Sequence, residues 1–598
     1  MHDFLVIQTH EQIDISSFIY RIKIDDLLFG INDKSVFYES KRSVTLFFGE
    51  IYNKQALSSS LKIPNTDSNA RIVSELFKKF TRKSFELIDG NFSTLIYDKE
   101  ERKIYASTDI TGSKPLYHCN DKNLFSVSNS LNGILSTNSI EKEIDPNSLA
   151  LYFRYGFILR PKCIYKMCKK VQAGHFIVHD LRSNETSASS YWSLRECYDH
   201  PKIDSTETTI TTNAKKLLLN SIEKRVQKNG EIGAFLSGGY DSATICALLK
   251  KELDIPIRAF TIGFEEESIN EAAFAKKVAS YLGIKHKEYY FKDSDAKKII
   301  LSLPDIYEQP FADYGASPTV MLAQIAKKDG VSTLFGGDGG DEIFATADDA
   351  EAIEKIISMP NLLKNSLFHI LNNMPISMMK NIKYYNPSVT RYEKFLSLLR
   401  AKDIAQIIKL KMTLFTDNAL SQLLTVNFDR NQKDFELIKF GKYAQTIDQI
   451  TGVYFKTFLN DAEIIKSANA LEFYDISMKN PFLDKELISY MATVPAEIKI
   501  KNKTRKNILK NITHSYIPKE LMDRPKMGFD IPFEKWLKKE LYDMMMDLTT
   551  KSYIDKGGIL NYKEVENIKK RFLNGNDRYK YKLWTIFIFQ LWYSRNFG

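Results

Sequence analysis

"GAFLSGGYDSATICALLKK", Gly233–Lys251, is the stretch on which the fold turns. A hydrophobic run breaks into Ser237, Gly238, Gly239, Tyr240, Asp241 and Ser242, and a helical pattern follows. In a parallel sheet, ligands bind at the carboxyl ends of strands, where such a turn lies. Backbone N–H groups at a helix start favour an anion, and glycines let phosphate oxygens approach the backbone. Ser237 and Ser242 add hydroxyl donors. A carboxylate beside phosphates is repulsive unless a cation lies between them, so Asp241 points to Mg²⁺ bridging the two. A dinucleotide loop would show GxGxxG, which is absent. A Walker loop would place Lys where Asp241 stands. A bare glycine turn without ligand is the bland alternative.

A second loop weighs against that alternative. "TLFGGDGGDEIF" (Thr333–Phe344) is another strand running into glycines and then into Asp338, Asp341 and Glu342. A structural turn does not need three carboxylates among four glycines, whereas a second Mg²⁺ anchor facing the first does. Between the loops, "FTIGF" (Phe260–Phe264) offers a strand edge for an adenine.

Outward from these loops the chain alternates strands and helices. "EIGAFLS", "IRAFTIGF" and "VSTLFGG" read as parallel strands, with helical stretches such as Asn270–Gly283 between them. From about residue 350 the pattern is mainly helical. The front part differs. Ser43–Asn53, Phe92–Asp98 and Lys103–Asp109 are β-branched and aromatic runs, and Ala70–Phe80 has helical spacing. The polar stretch Ile203–Asn213 marks the expected boundary.

The bulk composition is that of an ordinary soluble globular protein of several domains. At 598 residues the chain exceeds one hydrophobic core. Hydrophobic content is 43% and charged content 26%. The net charge of +10 comes from 84 basic against 74 acidic residues, which suits anionic substrates but is too diffuse for nucleic acid. Five cysteines without CxxC spacing predict thiols in a reducing compartment, and the nine histidines form no zinc pattern. The start lacks a signal peptide, and "LWTIFIFQLW" (Leu583–Trp592) is about half of the roughly 20 residues a membrane span needs. A cytoplasmic protein with no membrane partner is expected.

The SGGxDS pattern resembles the pyrophosphate loop of ATP pyrophosphatases, and over nearly its whole length the chain resembles the asparagine synthetase family. The marks occur in order: "FLSGGYDS", "FTIGF", "YEQPFADYGASPT" (Tyr307–Thr319), "GGDGGDEIF", "NPFLDKELISYMATVPAEIK" (Asn480–Lys499) and the stretch Arg505–Leu537. The resemblance implies that ATP adenylates a carboxylate and that a nitrogen nucleophile displaces AMP. It also implies an α/β fold: an Ntn-type layered α+β domain (1–200), then a doubly wound parallel-sheet ATP-pyrophosphatase domain with a helical C-terminal part (201–598).

Carried over by residue, Ser237, Gly238, Gly239, Asp241 and Ser242 would hold pyrophosphate. Phe235, Ile262, Gly336 and Gly337 would line the nucleotide site, and Asp241 and Asp341 would bind Mg²⁺. Lys506 matches the family's essential lysine, whose charge would stabilise the α-phosphate and the later oxyanion. Two departures stand out. Asp338 replaces the usual Glu, with a shorter reach towards amine or intermediate, and Ser477 and Lys479 stand before "PFLD" where an acid and an arginine are usual.

The front half resembles the family's glutaminase domain through "GEIYN" (Gly49–Asn53), "DGNFSTLIYD" (Asp89–Asp98) and "STDITGSKPLY" (Ser107–Tyr117). That domain uses an N-terminal Cys as nucleophile. Here residue 2 is His, Phe48 replaces the Asn before "GEIYN", and Asn69 replaces the acid that grips the glutamine amine. A degenerate glutaminase is expected, with nitrogen coming from ammonia or from an amine on the substrate. The latter is the practice of β-lactam synthetases and lasso peptide cyclases, which work on a small-molecule or peptide carboxylate and, for peptides, beside precursor-processing partners. A lactam or other specialised amide is favoured over asparagine. The rival classes are a catalytically silent nucleotide-binding regulator and a tRNA sulfur-transfer enzyme. The latter would need a reactive Cys near the loop, and Cys246 reads as core.

Overall fold

The computed structural model describes residues 4–8, 13–121, 124–137, 139–226, 230–266, 270–346, 350–372, 391–432, 434–435, 438–523 and 531–598. The chain divides into two compact units. One comprises Met1–Ser148, Leu159–Glu196 and Asn220–Gln227, and the other Leu149–Ile158, Cys197–Leu219 and Lys228–Gly598.

The first unit holds two six-stranded sheets. Its strands are β1 (Phe4–Gln8), β2 (Tyr20–Ile24), β3 (Leu27–Ile31), β4 (Phe37–Glu39), β5 (Ser43–Ile51), β6 (Gly90–Asp98), β7 (Lys103–Thr108), β8 (Tyr117–Asp121), β9 (Leu124–Ser128), β10 (Cys168–Lys170), β11 (His175–Asp180) and β12 (Glu185–Ser190). The orders are β10-β8-β9-β1-β3-β2 and β12-β11-β7-β6-β5-β4. Alternation explains the layering. Val44, Leu46 and Phe48 of β5 enter one core with Phe4 and Val6 of β1 and Phe125 and Val127 of β9. The opposite face of β5 meets the helix Asn69–Phe80, whose Ile72, Val73, Leu76 and Phe77 are buried. Ser68 caps that helix by accepting from Arg71 N at 3.2 Å.

The second unit is built on a five-stranded parallel sheet: β13 (Glu231–Phe235), β14 (Ile257–Gly263), β15 (Lys285–Tyr290), β16 (Val331–Phe335) and β17 (Ser477–Lys479), in the order β15-β14-β13-β16-β17. The chain winds outward from β13 through β14 to β15, then returns to lay β16 on the other side of β13. The loops after β13 and β16 therefore diverge at a switch point, where α/β sheets open a crevice. The rest is helical, and "LWTIFIFQLW" lies buried in the helix Lys580–Phe597, apolar on every side as core helices are. Among the described residues no helix is long and apolar enough to cross a membrane.

Three details differ from the sequence reading. The polar stretch Ile203–Asn213 is helical from Glu207, within the helix Glu207–Arg225, and Thr206 caps its start by accepting from Thr209 N at 3.3 Å. β15 escapes detection because "KHKEYY" is a charged edge strand with little apolar alternation. Cys119 and Cys168 are not thiols. They are register partners on β8 and β10 and form a disulfide, while Cys163, Cys197 and Cys246 are buried and take no part in a disulfide. The sequence hides that pair because 49 positions separate two residues that only strand register brings together.

Candidate active site

The loop after β13 is shaped by its own side chains. Gly238 takes φ 75°, a left-handed conformation that glycine adopts without steric cost, and it turns the chain into the helix Tyr240–Ala247. Ser242 Oγ accepts from Ser237 N at 3.1 Å, and Ser237 Oγ accepts from Gly239 N at 3.2 Å. Asp241 thus sits in the first helical turn, where the helix dipole favours a carboxylate.

The loop after β16 closes on that carboxylate. Gly340 opens the short helix Gly340–Phe344, and a Cβ there would stand 2.4 Å from Asp241 Oδ1, so a side chain would push the loops apart. Asp341 follows directly. Gly336 is held to the sheet, its N–H donating to Lys479 O at 2.9 Å.

Lys506 joins the two loops. It precedes the helix Asn507–His514 with φ 52°, a region that residues carrying a Cβ seldom occupy. Its Nζ donates to Asp241 Oδ1 at 2.7 Å and Oδ2 at 2.6 Å, and lies 2.7 Å from Asp341 Oδ1. Burial works against the charge, but the Asp241 and Asp341 carboxylates outweigh it and hold the ammonium pKa up at about 12.

A cavity of about 630 Å³ opens at this crevice. Phe235, Ser237, Asp241 and Ser242 line it from the first loop, Ile262 with Phe260 from β14, and Gly337, Asp338 and Asp341 from the second. Gly238, Gly239, Gly336 and Lys506 are not in its wall. The two glycines of the first loop and Gly336 shape the backbone behind it, and Lys506 reaches it through its aspartates.

Further charges line the cavity; the sequence reading singled out Asp338 and Glu342 among them, but not Asp313, Glu463 or Lys466. Asp338 Oδ2 accepts from Ser467 Oγ at 2.7 Å, and burial raises its carboxyl pKa against the opposing pull of Ser467, Lys466 and Asn480. Lys466 Nζ donates to Glu463 Oε2 at 2.7 Å and to Asp313 Oδ2 at 3.4 Å. Burial would lower the Lys466 pKa, yet Asp313 and Glu463 carry it above the usual lysine range. Burial, then Asp341, pushes Glu342 up to about 8. Asp313 lay within a family mark. Glu463 and Lys466, three residues apart on one helix, carry no such signal, since a charged i,i+3 pair usually marks a solvated face.

The donor set suits Mg²⁺. Asp241 and Asp341 both contact Lys506 Nζ and so lie close together, and Mg²⁺ in phosphate sites commonly takes one or two carboxylates beside water and phosphate oxygens. Among the described residues no group of three or more His, Cys, Asp or Glu could hold a metal alone, so phosphate would have to complete such a site.

In the first unit the structure places two of the residues singled out in the sequence. The Phe48 side chain lies in the hydrophobic core, with Lys114 Nζ 4.9 Å from its ring centroid. Asn69 Nδ2 donates to Gly49 O at 3.3 Å. His2 lies outside the described residues.

Comparison with known proteins places both units. The glutamine amidotransferase domain family matches residues 21–192, and the asparagine synthase family matches residues 213–594. A glutamine-hydrolysing asparagine synthetase 1 of Bacillus subtilis is 26% identical over 577 residues, covering 94% of this chain and 86% of that protein. A putative asparagine synthetase 2 of Methanocaldococcus jannaschii is 33% identical over 308 residues, covering 50% of this chain and 58% of that protein. A protein of Gibberella zeae named amidase chry2 is 22% identical, covering 87% of this chain and 81% of its own length. With more than half of its residues inside the asparagine synthase match, the chain belongs to that family.

Proposed function

We propose that this ligase joins a carboxylate to an amine at the expense of ATP, releasing AMP and pyrophosphate, and that it does not hydrolyse glutamine. The observation that carries the reading is Lys506 held between Asp241 and Asp341 at the mouth of two glycine loops. A carboxylate oxygen attacks the α-phosphorus of ATP, and the bond to the β-phosphate oxygen breaks, releasing pyrophosphate. The amine nitrogen then attacks the acyl carbon, and AMP leaves with the former carboxylate oxygen.

Ser237, Ser242 and the N–H groups of the first loop would hold pyrophosphate, and Phe235, Ile262 and Gly337 would pack on the nucleoside. Mg²⁺, held by Asp241 and Asp341 with the phosphates, would offset the charge of the leaving pyrophosphate. Lys506 meets the negative charge that grows on the α-phosphate and then on the acyl oxygen.

A specialised amide, a lactam included, suits this chain better than asparagine. The favouring features are Asp338 at the family's Glu, Ser477 and Lys479 before "PFLD", and Phe48 and Asn69 in the first unit. Proteins with other names also match most of this chain, the amidase chry2 of Gibberella zeae among them. Asparagine synthesis from ammonia is the second reading, favoured by the synthetases that match over most of the chain.

The test is pyrophosphate release from Mg²⁺-ATP with a panel of carboxylates: aspartate with ammonia, β-amino acid derivatives, and peptides encoded beside the gene. One carboxylate should trigger release, Asp241→Asn should abolish it, and glutamine should yield no glutamate. Release by aspartate with ammonia alone would establish the second reading. Glutamate formed from glutamine would overturn the account of the first unit, and silence across the panel would overturn the ligase.

A further inference from the structure

We infer that Glu463 is the general base that takes a proton from the amine nucleophile, an inference that rests on the ligase reading above. Glu463 closes a stretch of wide helical turns, Phe455–Glu463, that runs into the helix Ile464–Phe473. Such i→i+5 turns shift the helix face by a residue, and they recur at functional sites. The shift brings Glu463, Lys466 and Ser467 together into the cavity wall that the nucleotide loops also line.

The charges facing Glu463 come from four directions. Lys466 lies on its own helix, Asp313 before the helix Ala316–Lys328, Asp338 in the loop after β16, and Glu342 in the helix Gly340–Phe344. Lys411 lines the same cavity from the helix Ile404–Met412. Four acids, Asp313, Asp338, Glu342 and Glu463, share this end with two lysines, Lys411 and Lys466, so an amine entering here meets acidic groups, one of which is poised to carry a proton. Asp338 is engaged by the Ser467 hydroxyl, 2.7 Å away, and by Asn480. Glu463 holds the Lys466 ammonium at 2.7 Å, which orients its carboxylate without supplying the proton it must receive. Burial first, opposed by Lys466 and assisted by Asp313 and Asp338, sets its pKa at about 7, where a base has most effect near neutral pH.

The step balances. The Glu463 carboxylate takes one proton from the substrate ammonium, and the freed nitrogen pair attacks the acyl carbon of the adenylate. The bond from that carbon to the phosphate oxygen breaks. The remaining surplus proton of the nitrogen passes to the departing AMP phosphate.

The experiment compares Glu463→Gln and Asp338→Asn with the wild type. It uses Mg²⁺-ATP and the carboxylate of the panel that releases most pyrophosphate, with n-butylamine, ammonium or hydroxylamine as nucleophile. Hydroxylamine is largely unprotonated at neutral pH and needs no base. Glu463→Gln should slow amide formation from n-butylamine and ammonium at least 100-fold while hydroxamate forms within a few-fold of the wild type. Wild-type amide formation should rise with pH through about 7, and the variant should lose that limb. Equal slowing with all nucleophiles would make Glu463 a packing residue and overturn the inference. So would a nucleophile-selective loss in Asp338→Asn alone. A wild type that releases no pyrophosphate with any carboxylate removes the ligase reading itself, which is a different failure.

Discussion

Lys506 Nζ reaches both oxygens of Asp241, at 2.7 and 2.6 Å, from a backbone held at φ 52°. A side chain so placed neutralises the two carboxylates before any ligand arrives and competes with a cation for them. Lys506→Gln should therefore bind Mn²⁺ more tightly than the wild type in the absence of ATP, because two carboxylates lose their internal ammonium. The same variant should form product about 10²- to 10³-fold more slowly, the usual cost of losing one preorganised charge at an oxyanion. Calorimetric titration with Mn²⁺ and the pyrophosphate assay check the two halves. Weaker Mn²⁺ binding would deny the shared role of Asp241 and Asp341.

Glu342 makes stability depend on pH in an unusual direction. Burial first, then Asp341, raises its folded pKa to about 8 from 4.5, so folding takes up a proton between those values. The stability this gives is full below the unfolded pKa and is lost as pH rises through the folded one. Glu463, raised to about 7, adds to the same slope. Glu342→Gln should match the wild type near pH 5 and melt a few degrees higher near pH 9. Scanning calorimetry across that range decides it, and parallel curves would show that Glu342 ionises freely in the fold.

The Cys119–Cys168 bond closes a 49-residue separation within the first unit. By chain entropy such a loop contributes about 4 kcal/mol, an upper figure because unfolded chains keep some structure. Reduction, or the double change Cys119→Ser with Cys168→Ser, should lower the melting of that unit by several degrees. It should leave pyrophosphate release at ordinary temperature unchanged, since neither cysteine lines the ATP cavity. A melting curve with and without dithiothreitol is sufficient, and identical curves would show that the bond adds nothing.

What could be read from the sequence follows from how locally each feature is encoded. The loops at Ser237–Ser242 and Gly336–Glu342 were legible because glycines and acids cluster at the end of apolar strands, a pattern with few other uses. Lys506 was legible only through its neighbours, since a lysine in a basic helix carries no signal of its own. Glu463 and Lys466 were not, because the charges they answer to, Asp313 and Asp338, come from elements far along the chain. Strand register is equally non-local, which hid both the disulfide and the edge strand β15.

The adjacency of β13 and β16 has a consequence for how this enzyme can change. Asp241 and Asp341 follow neighbouring, hydrogen-bonded strands, with Ala234 paired to Phe335. The loops that carry them therefore start side by side, at the ladder spacing of roughly 4.8 Å between strands. Helices and loops between the two strands can lengthen, shorten or acquire new surfaces without moving those starting points apart. The part of the protein that handles ATP is insulated from insertions, and the lineage is free to vary the walls that choose what ATP activates.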